Sequence, residues 1–137
     1  MSLTLTTHDT RFDDPDAATI AKVVASLDGG LHVMATLAHS ERTYLQASGS
    51  VQAGFALEHQ EGSLGQHYRS RTAILPLGTV TEIFQTYARG DESWQQGVEW
   101  EHVPYVREKT PWSSTWIGLT IIVLLVIALI WLWRGEG

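Results

Sequence analysis

The stretch Asp14-Pro-Asp-Ala-Ala-Thr-Ile-Ala-Lys-Val-Val-Ala-Ser-Leu-Asp-Gly-Gly-Leu-His-Val-Met-Ala-Thr-Leu37 changes its hydrophobic period halfway along. Ile20, Val23, Val24 and Leu27 recur at i, i+3, i+4 and i+7, one apolar face of a helix. Asp14 is placed to cap it, Pro15 suits a first helical position, and Asp16 complements the positive helix end. Asp28-Gly29-Gly30 ends it. From Leu31 the period becomes two: Leu31, Val33, Ala35 and Leu37 alternate with polar or smaller neighbours, as on a half-buried strand. A helical stripe followed at once by a strand face needs a shared core, and that sets the class as α+β.

The rest of the chain extends this pattern in both directions. Residues 1–12, with Leu3 and Leu5 alternating, read as a short edge strand or a loose terminus. His39-Ser-Glu-Arg42 is a polar turn, Thr43 to Ala47 a strand, and Ser48-Gly-Ser50 its break. Gly54 to Gln60 returns with Phe55 and Leu57 inward and Glu58 outward. Glu61-Gly62 is a tight turn, and Ser63 to Ala73 is a further strand. These turns imply a meander of three or four strands. Between Pro76 and Gly90, Val80, Ile83, Phe84 and Tyr87 repeat the helical spacing. Asp91 to Trp94 is a polar loop with one large aromatic. Gly97 to Val103 is a last strand, Val98 and Trp100 facing one way, Glu99 and Glu101 the other. The expected fold is an antiparallel sheet of about four to five strands with two amphipathic helices on one face, spanning residues 1–103.

Residues 104–115 form a linker with two prolines. Trp116 to Trp133 then runs for 18 residues with no charge and with Thr120 as its one polar side chain; twelve of the residues are Leu, Ile or Val. At about 1.5 Å per residue such a helix spans roughly 27 Å, close to the hydrocarbon thickness of a bilayer. Trp112 and Trp116 at one end, and Trp131 and Trp133 at the other, are distributed as interfacial indoles are. The segment is therefore expected to be a single transmembrane helix followed by the short tail 134–137. No ionisable group lies within the span, which leaves transport or proton relay without support. Arg107 and Lys109 precede it and Arg134 follows. That bias, with no apolar export segment at the start, places the N-terminal domain on the cytoplasmic side of the inner membrane.

Composition narrows the functions further. The 137-residue chain has a formal charge of −6, and Arg134 and Glu136 cancel, so the excess lies on the domain. A broad acidic field disfavours nucleic acid and suits a basic protein. With no cysteine there is no disulfide, thiolate metal site or cysteine nucleophile. His8, His32, His39, His59, His67 and His102 show no metal-ligand spacing. No serine stands in a nucleophile elbow and no glycine run forms a phosphate loop. Neither a catalytic residue, nor a cofactor, nor a small-molecule substrate is expected. What remains is an acidic and aromatic surface of Asp91, Glu92, Trp94, Glu99 and Glu101. An exposed Trp94 ringed by acids would form a hot spot for a basic partner.

The segment from Ala73 to Glu101 resembles the C-terminal portion of immunity proteins from bacterial polymorphic toxin systems. The similarity is to the first-numbered immunity family, which includes deaminase-toxin inhibitors. It is carried by Pro76-Leu77 leading into the helix, the stripe Val80 to Tyr87, the helix end at Gly90, and Val98-Glu99-Trp100 on the last strand. The resemblance implies stoichiometric inhibition of a cognate toxin, without catalysis. Such immunity proteins are usually soluble, and the apolar segment departs from that pattern. The expected function is thus a membrane-tethered immunity protein. The alternative is a tail-anchored adaptor or assembly factor that recruits a protein to a membrane complex.

Overall fold

The structure, a computed structural model, describes residues 2–107. Seven strands form one antiparallel sheet. In chain order they are β1 (Thr4–Thr6), β2 (Arg11–Asp13), β3 (Met34–Ser40), β4 (Thr43–Ser50), β5 (Gly54–Glu61), β6 (His67–Ser70) and β7 (Trp100–His102). Their spatial order is β2-β1-β3-β4-β5-β6-β7. Helix α1 (Ala17–Ala25) lies between β2 and β3. Helix α2 (Leu77–Ala88) and a 3-10 helix (Glu92–Gly97) lie between β6 and β7. The α+β class holds, with more strands than the four to five expected. The additional pieces are only three residues long, too short for a period to register.

The N-terminus is not an edge. β1 sits between β2 and β3, with Leu5 opposite both Phe12 and Leu37, and Leu5 is fully buried. Asp14 takes part in this hairpin rather than in the helix cap. Its backbone is left-handed (φ 49°), and its Oδ1 accepts from the Leu3 amide at 2.9 Å. A following proline disfavours the right-handed helical conformation at this position, and aspartate tolerates the left-handed one. The cap passes to Asp16, which accepts from the Thr19 amide at 2.7 Å. Hydrogen bonding from the Thr19 side chain, and then from its amide, holds the Asp16 carboxyl below the ordinary carboxylate range.

β3 begins three residues later than its alternation implied. Asp28 Oδ1 accepts from the Gly30 and His32 amides, a local side-chain turn that keeps this segment out of the sheet. Leu31 and Val33 are accordingly exposed, while Ala35 and Leu37 are buried. The long strand expected over 63–73 shrinks to β6, because a turn closes from the Gln66 amide to the Ser63 carbonyl. The last strand shrinks likewise: the 3-10 helix runs through Gly97, and pairing with β6 spans only Trp100 to His102.

Alternation along each strand separates two faces. Leu5, Ala35, Leu37, Leu45, Ala47, Phe55 and Leu57 point inward and are buried. With the α1 stripe (Ile20, Val23, Val24, Leu27) and the α2 stripe (Val80, Ile83, Phe84, Tyr87) they form one core. Both helices thus cover the same sheet face. The other face carries polar cross-strand pairs: Gln46 to Thr36 at 2.8 Å, Glu58 to His67 at 3.1 Å, and Arg69 to Glu101 at 3.1 Å. One close approach requires glycine. Gly49 has φ +126°, and a Cβ there would overlap the Gly54 carbonyl oxygen.

No helix among the described residues is long and apolar enough to cross a membrane. The segment 116–133, with Trp112, Trp116, Trp131 and Trp133, lies outside the described residues.

Candidate functional site

The inward row of β5 runs Phe55, Leu57, His59. Its third member is polar, and the core changes character there. His59 stands opposite Leu45 on β4 and Tyr68 on β6. Only 4% of it is exposed. Its ring stacks on Tyr68, centroids 4.9 Å apart and planes at 13°. It meets Trp94 edge-on at 4.9 Å and Trp100 edge-on at 4.5 Å. Trp94 in turn packs its edge against Tyr87 at 5.2 Å, and Tyr87 lies 5.4 Å from His39. Aromatic pairs of this geometry contribute about 0.5–1.5 kcal/mol beyond their buried area.

Each ring is delivered by a different element. α2 supplies Tyr87 from its last turn. The 3-10 helix turns Trp94 inward, its start fixed by Asp91, whose carboxylate accepts from the Ser93 amide at 3.0 Å. That hydrogen bond lowers the Asp91 pKa. The edge strand β7 supplies Trp100, whose indole N–H donates to the Gln95 carbonyl at 2.8 Å. Gln95 Nε2 donates to Glu61 Oε1 at 2.8 Å, tying the 3-10 helix to the end of β5.

Over these rings lies a cleft of about 430 Å³, open to solvent, whose lining includes His39, Thr43, His59, Glu61, Tyr87, Glu92, Trp94 and Gln95. Two of the lining residues hold a buried polar atom with no hydrogen-bond partner among the described residues: His59 Nδ1 and the Tyr87 hydroxyl oxygen. His59 Nδ1 is 3.7 Å from Glu61 Oε1, near but beyond hydrogen-bond reach. Burial pushes the His59 imidazole down to about 4, with the nearby His67 adding to the effect. Burial likewise pushes the Tyr87 phenol up to about 12, helped by the charge of Glu61. Near neutral pH both groups are uncharged, and Glu61 and Glu92 bring carboxylates to the cleft. Two other hollows, of about 360 and 300 Å³, lie beside the β1–β2 hairpin. Neither is lined by a buried atom without a partner among the described residues.

The structure divides the acidic and aromatic surface expected from sequence. Trp94 is 7% exposed and belongs to the core, which corrects its placement as an exposed hot spot; a large ring gains more by covering the sheet end than by facing water. Asp91 and Glu92 are neighbours at the start of the 3-10 helix, both exposed, and Glu92 lines the cleft. Glu101 lies on β7 instead, accepting from Arg69 on the outer face, and Glu99 immediately precedes that strand. The acids therefore occupy two places. His59, Glu61 and Tyr87 were not singled out as site residues. The signal for His59 was present in the alternation of Gly54 to Gln60, which puts it on the inward row. Tyr87 read as an ordinary member of a helical stripe.

No family model, curated protein or solved structure matches this chain. The resemblance to immunity proteins thus rests on residues 73–101. Among the described residues no group of three or more His, Cys, Asp or Glu is placed to hold a metal ion. A neutral imidazole, a phenol and two carboxylates around an aromatic floor are groups suited to recognition: they accept hydrogen bonds and favour positive charge.

Proposed function

We propose that this chain is a protein-binding inhibitor, a membrane-tethered immunity protein that engages a basic toxin domain and blocks it without catalysis. The observation that carries this reading is the cleft at the aromatic end of the sheet, where Glu61 and Glu92 stand beside buried rings and unpartnered polar atoms. A preformed acidic hollow of this kind favours a cationic partner and disfavours an acidic one. The resemblance over residues 73–101 supports the same assignment, since α2 and the 3-10 helix, which supply Tyr87, Glu92, Trp94 and Gln95 to the cleft, fall within that segment. Residues 116–133 would hold the domain at the inner membrane, facing the cytoplasm. That segment also favours a second reading, an adaptor that recruits a protein to a membrane complex.

Co-expression separates the two. The full-length chain should protect cells from a toxin encoded beside its gene and should co-purify with that toxin. Failure to protect against or bind any neighbouring toxin, together with recovery in a stable membrane complex, would replace inhibition by recruitment.

A further inference from the structure

We propose that the His59–Tyr87 cleft is the receptor for a guanidinium group, borne by an arginine of the protein partner. The inference rests on the inhibitor reading and adds the chemistry of its central contact. Two independent features converge at one place. The first is the pair of buried atoms without partners among the described residues, His59 Nδ1 and the Tyr87 hydroxyl, in residues 4% and 7% exposed. Buried polar atoms are almost always satisfied, so two orphans held by residues that line one hollow mark where an absent group belongs. The second is Glu61. Its Oε1 already accepts from Gln95 and lies 3.7 Å from His59 Nδ1, while its other oxygen has no hydrogen-bond partner among the described residues. Imidazole and carboxylate, two residues apart on β5, and phenol, from α2, can all accept. The matching guest is planar, donates several N–H groups in a fixed fork, and is cationic. A guanidinium meets all three conditions, and an ammonium, a compact and strongly hydrated point charge, meets only the last. The surrounding rings of Tyr87 and Trp94 suit a weakly hydrated planar cation as well.

The test uses the full-length chain in detergent, labelled with ¹⁵N in histidine, and N-acetyl-arginine methylamide as the probe. The His59 ring nitrogens should shift saturably, and the lysine analogue should bind about tenfold more weakly or worse. Tyr87→Phe and Glu61→Gln should each weaken the arginine probe by about tenfold. Asp9→Asn, beside the β1–β2 hairpin, should leave it unchanged. No shift at His59, equal binding of the two probes, or full affinity in both cleft variants would overturn the proposal. A second arm identifies the bearer. In co-expression, Tyr87→Phe and Glu61→Gln should weaken toxin protection where Asp9→Asn does not. Probe binding with undiminished protection would overturn the arginine-of-the-partner assignment and point to a free guanidinium compound. If the wild-type chain protects against no toxin, the inhibitor reading fails, and the probe titration still decides the chemistry of the cleft.

Discussion

The two ends of the inner sheet face are built from different materials. Toward β1 and α1 the core is aliphatic, with Leu5, Ile20, Val24 and Leu37 all under 2% exposed. Toward β6 and β7 it is a nest of rings, His59, Tyr68, Tyr87, Trp94 and Trp100, with a cleft above it. Among the described residues, both buried side-chain atoms without hydrogen-bond partners lie at the second end. The aliphatic end does what a core ordinarily does, close-packing apolar groups. The aromatic end carries polar groups whose desolvation is uncompensated within the domain. The contrast teaches where stability and recognition are separated in this small fold.

The largest expected effect breaks the aliphatic end. Leu37→Ala removes a fully buried side chain from the middle of the sheet and should cost about 2–5 kcal/mol, measured as a lower denaturant midpoint. The next sharpens the aromatic end. The folded His59 value of about 4 lies below its ordinary 6.5. Between these values the unfolded chain binds more protons, so stability is lost as pH falls through that window. One proton over the full interval amounts to about 3 kcal/mol. His59→Phe keeps a ring in place and should flatten the pH dependence of unfolding between pH 6.5 and pH 4; a curve as steep as wild type would assign the slope to other groups. Third, Asp16→Ala removes the α1 cap and should cost about 1 kcal/mol while leaving partner affinity alone. Smallest in stability is Glu92→Gln, an exposed site expected within about 0.5 kcal/mol of wild type. Its partner affinity should still drop severalfold, with a steeper loss at low salt than at high salt.

Legibility in the sequence also differed between the two regions. The stripes Ile20 to Leu27 and Val80 to Tyr87, and the inward rows Ala35–Leu37 and Phe55–Leu57, follow from period alone, because burial of apolar surface sets them. The β1–β2 hairpin did not, since three-residue strands carry too little pattern. Asp14 misled because its carboxylate has a tertiary partner, the Leu3 amide, that no local rule contains. Trp94 misled because its immediate neighbours are polar, whereas its burial is decided by packing against Tyr87, Trp100 and, from far away in sequence, His59. His59 lay in plain view within an inward row, but the consequence of that position, an orphaned ring nitrogen, depends on four other elements.

The central claim, that the aromatic end gives up stability to keep polar atoms ready for a guest, is tested most directly by the unfolding free energy of Tyr87→Phe. An unsatisfied buried hydroxyl costs about 1–3 kcal/mol, and phenylalanine keeps the ring contacts with His39 and Trp94. The variant should therefore be about 1 kcal/mol more stable than wild type at neutral pH. A loss of about 1 kcal/mol or more would mean that the hydroxyl is satisfied and structural, and would contradict the claim.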